Sequence, residues 1–276
     1  WSQVEKDEKY DPGFGKNINW DIPLLDGYDY VFVNNISSRP GSDHFSGINN
    51  PTLINEIEQW EPDAVLVFGW SLRSHLNAIR YFSGKLKLMF RGDSTLQDEP
   101  THFSLKKIMR RVLLKWVYSN IDIALYTGEL NRQYFIKHGL KQNQLFFAPH
   151  SVENERFFQN EVISKTAADL RKKNEISDTD IVFLFAGKLE SKKQPGLLIN
   201  AFKKLKVPHI HLLIVGNGVL LDDLIKQAGD DTGIHFIDFQ NQTAMPAVYA
   251  MCNIFVLPSS GPGETWGLSV NEAMAS

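Results

Sequence analysis

Short apolar runs, each followed by a longer stretch of helical period, recur along the chain. The first five are residues 29–35 (DYVFVNN), 64–69 (AVLVFG), 86–92 (LKLMFRG), 121–128 (IDIALYTG) and 144–150 (QLFFAPH). Four more lie at 181–187 (IVFLFAG), 209–218 (HIHLLIVGNG), 234–239 (IHFIDF) and 253–260 (NIFVLPSS). A strand with one wet face alternates apolar and polar residues. These runs are continuously apolar, so both faces are expected to be covered by helices, as in a parallel sheet. The pattern predicts a doubly wound α/β protein. Its helices carry their own punctuation: Asn50-Pro51 reads as an N-cap and first-turn proline before TLINEIEQW, and Gly139 closes the helix that runs through Gln133 to His138.

Residues 151–180 are polar, charged and strandless, and a domain boundary is placed there. The expected division is 1–160 and 161–276, two Rossmann-like halves facing across a cleft, with ligands at the carboxyl ends of the strands. A parallel domain is expected to lead with a buried strand, whereas about the first 28 residues are polar and turn-rich, so a chain truncated at both ends is expected. There is no short fixed repeat and no low-complexity tract.

Composition narrows the function without choosing it. At 276 residues, 43% hydrophobic and 22% charged, the chain can bury two ordinary cores. Its 29 basic and 32 acidic side chains give a net charge of -3, which lacks the basic excess of a nucleic-acid binder. Cys252 is the one cysteine; it permits neither an internal disulfide nor a thiolate metal site, and fits a reducing cytosol. No run approaches the roughly 20 apolar residues that cross a bilayer, and WSQVEKDEKYDPGFG is neither a signal nor a transit peptide, so a soluble or peripheral protein is expected.

The search for chemistry starts at the carboxyl ends of the second-half strands. Gly187-Lys188-Leu189-Glu190-Ser191-Lys192-Lys193 is a glycine turn with three lysines leading into a helix. Ammonium groups and helix-start N–H groups suit phosphate oxygens, although lysines in a loop can also be simply solvated. Gly216-Asn217-Gly218 is a second turn, weak evidence alone, and Leu221 stands where a dinucleotide fingerprint needs its third glycine. In GETWGLSVNEAMAS (263–276), Gly261, Gly263 and Gly267 allow close backbone approach. Thr265 lies in the same turn, and the N–H groups of Trp266, Gly267 and Leu268 would face an anion. Glu264 and Glu272 are poor phosphate ligands but good hydroxyl acceptors, each charge-assisted bond being worth roughly 1.5–3 kcal/mol. Two such acids around an anion pocket suggest a sugar on either side of a diphosphate. For Glu272 there is a structural alternative, since Ser269-Val270-Asn271-Glu272 also spells a capping box.

Taken together, E-x7-E in GETWGLSVNEAMAS, the preceding NIFVLPSS, the G-K-L-x-x-x-K loop and VGNG resemble the donor half of the retaining glycosyltransferases of family four, which have the GT-B architecture. The resemblance is strong over 181–276 and softer in FRGDS (90–94), YTGELNRQYFIKHGL (126–140) and PHSVENERF (149–157). It implies a metal-independent transferase that moves a hexosyl group from a nucleotide-sugar co-substrate to a glycan or lipid-linked acceptor, with no further cofactor. It further implies that Glu264 contacts the donor sugar, Glu272 accepts from the ribose, and Lys193 holds the diphosphate. Lys188 stands where the family usually has arginine, and so lacks the bidentate guanidinium fork. Gly187, Gly216 and Gly218 belong to the donor-binding set. Such enzymes are thought to use the leaving phosphate, not a protein nucleophile, to help the incoming hydroxyl. A nucleotide-sugar epimerase of the same layout and an inactive nucleotide-binding fragment are the alternatives.

The acceptor half is less explicit. Arg91 and Asp93, in R-G-D-S, end one strand; Trp70 and His75 follow another; Tyr126, Thr127, Gly128 and His150 are lesser candidates. An Arg91–Asp93 brace and a core-packed Trp70 are equally consistent with the pattern. Asp178-Thr179-Asp180 spells the D-x-D of metal-dependent glycosyltransferases but precedes its strand, so it reads as a solvated turn, and His209 and His211 read as packed on one strand face; no metal is implied. In 102–119, Lys107, Arg111 and Lys115 form one helical stripe and Leu105, Ile108, Val112 and Trp116 another. A solvated helix face accounts for this pattern; contact with the cytoplasmic face of an anionic membrane would too.

Overall fold

The computed structural model describes residues 9–11, 13–99, 104–261 and 263–276. The described chain opens with an antiparallel hairpin, β1 (Lys9–Asp11) and β2 (Lys16–Ile18). Next come α1 (Leu53–Gln59), β3 (Ala64–Phe68), α2 (Arg73–Phe82), β4 (Lys87–Arg91), α3 (Leu105–Ser119), β5 (Ile123–Tyr126), α4 (Glu129–Lys137) and β6 (Leu145–Phe147). The second half holds α5 (Asn154–Phe157), α6 (Glu161–Lys173), β7 (Ile181–Ala186), α7 (Pro195–Leu205) and β8 (Ile210–Val215). It ends with α8 (Leu221–Ala228), β9 (Ile234–Ile237), α9 (Met245–Ala250), β10 (Ile254–Phe255) and α10 (Leu268–Ala275).

These elements form two compact α/β units, each built on a four-stranded parallel sheet, the GT-B class of architecture. The first unit spans residues 27–150, and the second contains 151–276 together with the hairpin segment up to Asp26. The 160/161 division drawn from composition therefore differs from these units by ten residues and by the hairpin segment.

In the second unit the strand order is β10-β7-β8-β9. Successive side chains of a strand point to opposite faces. Val182, Leu184, Leu213 and Val215 enter a core with Met245 and Tyr249, while Phe185, Leu212 and Ile214 enter another with Ile199 and Leu224. Both faces are dry, which is why the sequence of β7 and β8 shows no alternation. Each such side chain contributes roughly 1.5–3 kcal/mol of transfer free energy.

The first unit, ordered β3-β4-β5-β6, follows this rule at its centre only. Leu88, Phe90 and Ala124 are buried, whereas Phe68 on β3 and Phe146 and Phe147 on β6, the two edge strands, are exposed. The run DYVFVNN is not a strand. Val33 makes an isolated bridge, and Tyr28, Tyr30 and Val31 are exposed. The cause is Asn50, whose Nδ2 donates to the carbonyls of Val33 (2.9 Å) and Asn34 (3.0 Å), so this segment bonds to a loop instead of to a strand. Asn50 is thereby not the N-cap of α1; Thr52 is, with no side-chain bond. Gly139, at φ 113°, does close α4, with Leu140 N–H donating to Phe135 C=O at 3.1 Å.

The Asn50 amide is buried and also receives Ser74 Oγ as the acceptor of its backbone N–H at 2.7 Å. Asn50→Ala strands two carbonyls and is expected to destabilise the first unit by about 1–3 kcal/mol, seen as a lower urea midpoint at an unchanged slope.

Candidate functional site

The carboxyl ends of β7, β8 and β9 are joined by backbone bonds that extend the ladder one residue. Gly187 N–H donates to Val215 C=O (3.0 Å) and Gly216 N–H to Ile237 C=O (2.9 Å). A Cβ on Gly216 would lie 2.0 Å from Gly187 O, and Gly216 has φ 137°, so only glycine fits. A Cβ on Gly218 would lie 2.7 Å from Leu189 O. The three predicted glycines thus stack two turns into contact.

Lys188 leaves this stack and Lys193 ends the short 3-10 turn Ser191–Lys193, after which Gln194 takes a left-handed conformation (φ 54°) so that Pro195 can start α7. Lys193 Nζ donates to Glu264 Oε2 in an ion pair whose two side chains are each under one-fifth exposed. Gly267 is the N-cap of α10, and a Cβ there would lie 4.0 Å from Glu264 Oε1, so the Glu264 carboxylate stands between Lys193 and the start of that helix. Thr265, Trp266 and Leu268 lie in or next to this turn, with Trp266 Nε1 donating to Asn271 Oδ1 at 3.0 Å.

Glu272 is buried and its Oε2 accepts from Tyr249 OH at 2.8 Å. The capping box is not formed: α10 starts at Leu268 and no side chain caps it. Glu272, Ser269, Gly187 and Gly216 line a cavity of about 130 Å³ with Phe14, Trp20 and Phe239. A wider cavity of about 460 Å³, with Asp180, His209 and His211 on its wall, lies at the amino ends of the same strands. Ligands of doubly wound folds gather at the carboxyl ends, so the smaller cavity is the candidate.

Three further residues of this region are not among those expected from the sequence. Asp11 pairs with Lys188 across 177 positions, Nζ to Oδ1 at 2.9 Å. Asp238 accepts from Asn217 Nδ2 at 3.0 Å and from Lys16 Nζ at 2.8 Å. Tyr249 sits in the apolar helix MPAVYA, and there a signal existed, because a buried phenol needs a hydrogen-bond partner.

In the first unit, Trp70 packs against the core, and His75 is held below the ordinary imidazole range by burial. Asp93 faces His150 (Oδ1 to Nε2, 3.5 Å), and among the described residues no Arg91–Asp93 ion pair forms. Asp180 is not solvated. Its buried carboxylate accepts from Ser177 N–H (3.0 Å) and meets His209 Nδ1 and His211 Nε2, each at 3.1 Å. The two histidines are not packed alike: His209, at φ 60°, precedes β8 and is exposed, while His211 lies within it.

Residues 167–276 match the family described as Glycosyl transferases group 1. That stretch is about two fifths of the chain and lies within the second unit. No curated protein matches the chain. Among solved structures, HepE of Anabaena in complex with UDP superposes with a TM-score of 0.62 at 18% identity, over 81% of this chain and 60% of that one. A glycosyltransferase of Rickettsia africae gives 0.63 at 17% identity over 89% and 63%, and the sucrose-phosphate synthase of Thermosynechococcus elongatus 0.59 at 17% over 81% and 57%. The chain therefore spans about three fifths of the length of these structures, and at such identities the likeness is one of fold.

Within the matched stretch, burial raises the Glu272 carboxyl above its ordinary value, opposed by the Tyr249 hydrogen bond and the Arg156 charge. A raised carboxyl costs stability in its ionised form, so this contribution is intact below about pH 4.5 and declines as pH rises through the folded-state value. Glu272→Gln keeps the oxygen that accepts from Tyr249 and cannot ionise. Denaturation series should show it gaining stability over the parent as pH increases from 4 to 8.

Proposed function

We propose that this protein transfers a sugar, with retention of configuration and without a metal, from a nucleotide-diphosphate sugar to a glycan or lipid-linked acceptor. The observation that carries the reading is the half-buried Lys193–Glu264 pair beside the first turn of α10, inside the stretch that matches the group 1 family. Such an arrangement offers a cation to a diphosphate and a carboxylate to sugar hydroxyls within one turn. Lys188 and the first N–H groups of α10 add donors for phosphate oxygens. Glu272 keeps Oε1 for a ribose hydroxyl while Tyr249 holds Oε2. HepE was solved with UDP and with UDP-glucose, which supports a uridine nucleotide as the first donor to try.

As the bond from the anomeric carbon to the diphosphate breaks, negative charge grows on the leaving oxygen. Lys193 and Lys188 stabilise that charge, and the departing phosphate takes the proton of the acceptor hydroxyl attacking on the same face. Calorimetry with UDP, GDP, ADP and their sugars identifies the donor. With that donor, Lys193→Ala should lower the transfer rate by about 10²–10³-fold, the worth of one preorganised donor. Unchanged turnover would remove Lys193 from the reaction.

The α3 helix supports a second contact, with an anionic membrane surface. Leu114, Val117 and Tyr118 are buried in the core of the first unit, yet the opposite side of the same helix is apolar too. Leu105, Met109 and Val112 are 76%, 72% and 64% exposed, with Ile108 and Trp116 beside them. Arg111 and Lys115 border this ridge, the helix has no acidic residue, and no described helix is long and apolar enough to cross a membrane. Apolar insertion flanked by cations fits anionic lipid. The full chain should co-sediment with vesicles of phosphatidylglycerol and phosphatidylcholine and not with phosphatidylcholine alone, and Met109→Glu with Val112→Glu should abolish it. Binding that survives the double variant, or that ignores lipid charge, would overturn the contact.

A further inference from the structure

The hairpin segment 9–26 belongs to the second unit, and described side chains along it meet the loops that end β7, β8 and β9. Phe14 meets the Phe239 ring edge-on at 4.7 Å, and Trp20 meets it from another side at 6.3 Å. Lys16 pairs with Asp238, Asn241 Nδ2 donates to Asn19 C=O at 2.6 Å, and Thr243 N–H donates to Asp21 Oδ1 at 3.1 Å. At the tip, both Asp11 oxygens accept from Lys188 Nζ, at 2.9 and 3.0 Å. Asp11 Oδ1 also accepts the N–H groups of Gly13 (2.8 Å) and Phe14 (3.2 Å). A Cβ on Gly13 would lie 2.5 Å from Lys188 Cδ, so the lysine stem lies across the turn because that residue is glycine.

One ammonium and two backbone N–H groups around an anionic oxygen are the surroundings a phosphate oxygen seeks. Although burial acts to raise the Asp11 carboxyl, the Lys188 bond and the two N–H groups outweigh it and hold Asp11 below the ordinary carboxylate range. The cavity beneath the hairpin is about 130 Å³, well under the roughly 300–1,000 Å³ of a pocket that holds a nucleotide-sized ligand. A nucleoside diphosphate cannot occupy that space while Asp11 keeps Lys188 and the aromatic tip rests on Phe239.

We propose that Asp11 is an internal competitor for Lys188: its carboxylate stands in for a donor phosphate, the hairpin closes the site over it, and an incoming diphosphate must displace it. The inference rests on the reading that Lys188 receives the donor diphosphate. It makes Asp11 a determinant of donor affinity, setting how tightly a phosphate must bind before the site opens.

Asp11→Asn isolates the charge, because the asparagine Oδ1 still accepts from Gly13 and Phe14. Calorimetry on the full chain would use UDP, GDP, ADP and inorganic pyrophosphate. For each probe that the parent binds, Asp11→Asn should bind about two- to fivefold tighter, since a part-exposed pair is worth about that much. The gain should vanish in the Lys188→Met background. On the parent protein, saturating nucleotide should speed hydrogen exchange at the hairpin amides of Lys16 to Ile18, a readout that does not depend on the variant folding. Binding by the parent with unchanged or weaker binding by Asp11→Asn, or with slowed exchange in the hairpin, overturns the competitor role alone. Absence of binding by the parent to every probe overturns the donor reading, and the competitor with it.

Discussion

The candidate site depends on how closely two turns can stack. Gly187 and Gly216 end neighbouring strands of one sheet, and a Cβ on Gly216 would be 2.0 Å from Gly187 O, a separation that no carbon and oxygen sustain. Given the contact, Leu189 N–H reaches Asn217 C=O at 2.9 Å, Asn217 turns its amide to Asp238, and the three strand ends become one surface. Lys188 is aimed by its position between Gly187 and Leu189 in that stack. A side chain on Gly216 would part the turns and move Lys188, Asn217 and Asp238 together. The geometry is therefore a backbone property first and a side-chain property second.

On that surface each lysine of the loop 188–193 has a carboxylate within reach: Asp11 for Lys188, Glu190 for Lys192 and Glu264 for Lys193. Three cations within six residues repel one another where water is partly excluded, and the acids offset that repulsion. An incoming diphosphate would not add charge to a bare cationic loop; it would exchange with carboxylates already present. The exchange favours the ligand only through better geometry and more donors, which lets such a site distinguish a diphosphate from a simple anion. The glutamate at 264, awkward as a phosphate neighbour in the sequence, is accounted for by the lysine it holds.

What could be read from the sequence follows from which interactions are local. The parallel sheets were legible because dry strands advertise themselves as unbroken apolar runs, and the glycine turns because positive φ restricts residue type. DYVFVNN misleads on the same logic. Its apolar pattern meets the strand criterion, but one distant amide, Asn50, takes its carbonyls. Lys193 and Glu264 were legible as members of a motif, yet their ion pair spans 71 positions and has no periodic signature. Asp11 and Lys188 are further apart still, and nothing in DPGFG by itself says what its aspartate faces. Asp178-Thr179-Asp180 is the expected turn, with Asp178 and Thr179 exposed, but Asp180 is buried, because the histidines it meets come from the neighbouring strand segment.

Among its described residues the second unit buries two carboxylates, and their surroundings differ. Asp180, at the amino ends of the strands, has both oxygens committed: Ser177 N–H and His211 on one, His209 on the other, and its carboxyl is held below the ordinary range by Ser177 and the imidazoles. Such a group is complete within the fold. Glu272, at the cavity, has one oxygen on Tyr249, and burial raises its carboxyl. Burial opposes its ionisation, and the Tyr249 hydrogen bond and the Arg156 charge offset only part of that cost. The two carboxylates therefore differ in how far the fold itself satisfies their charge.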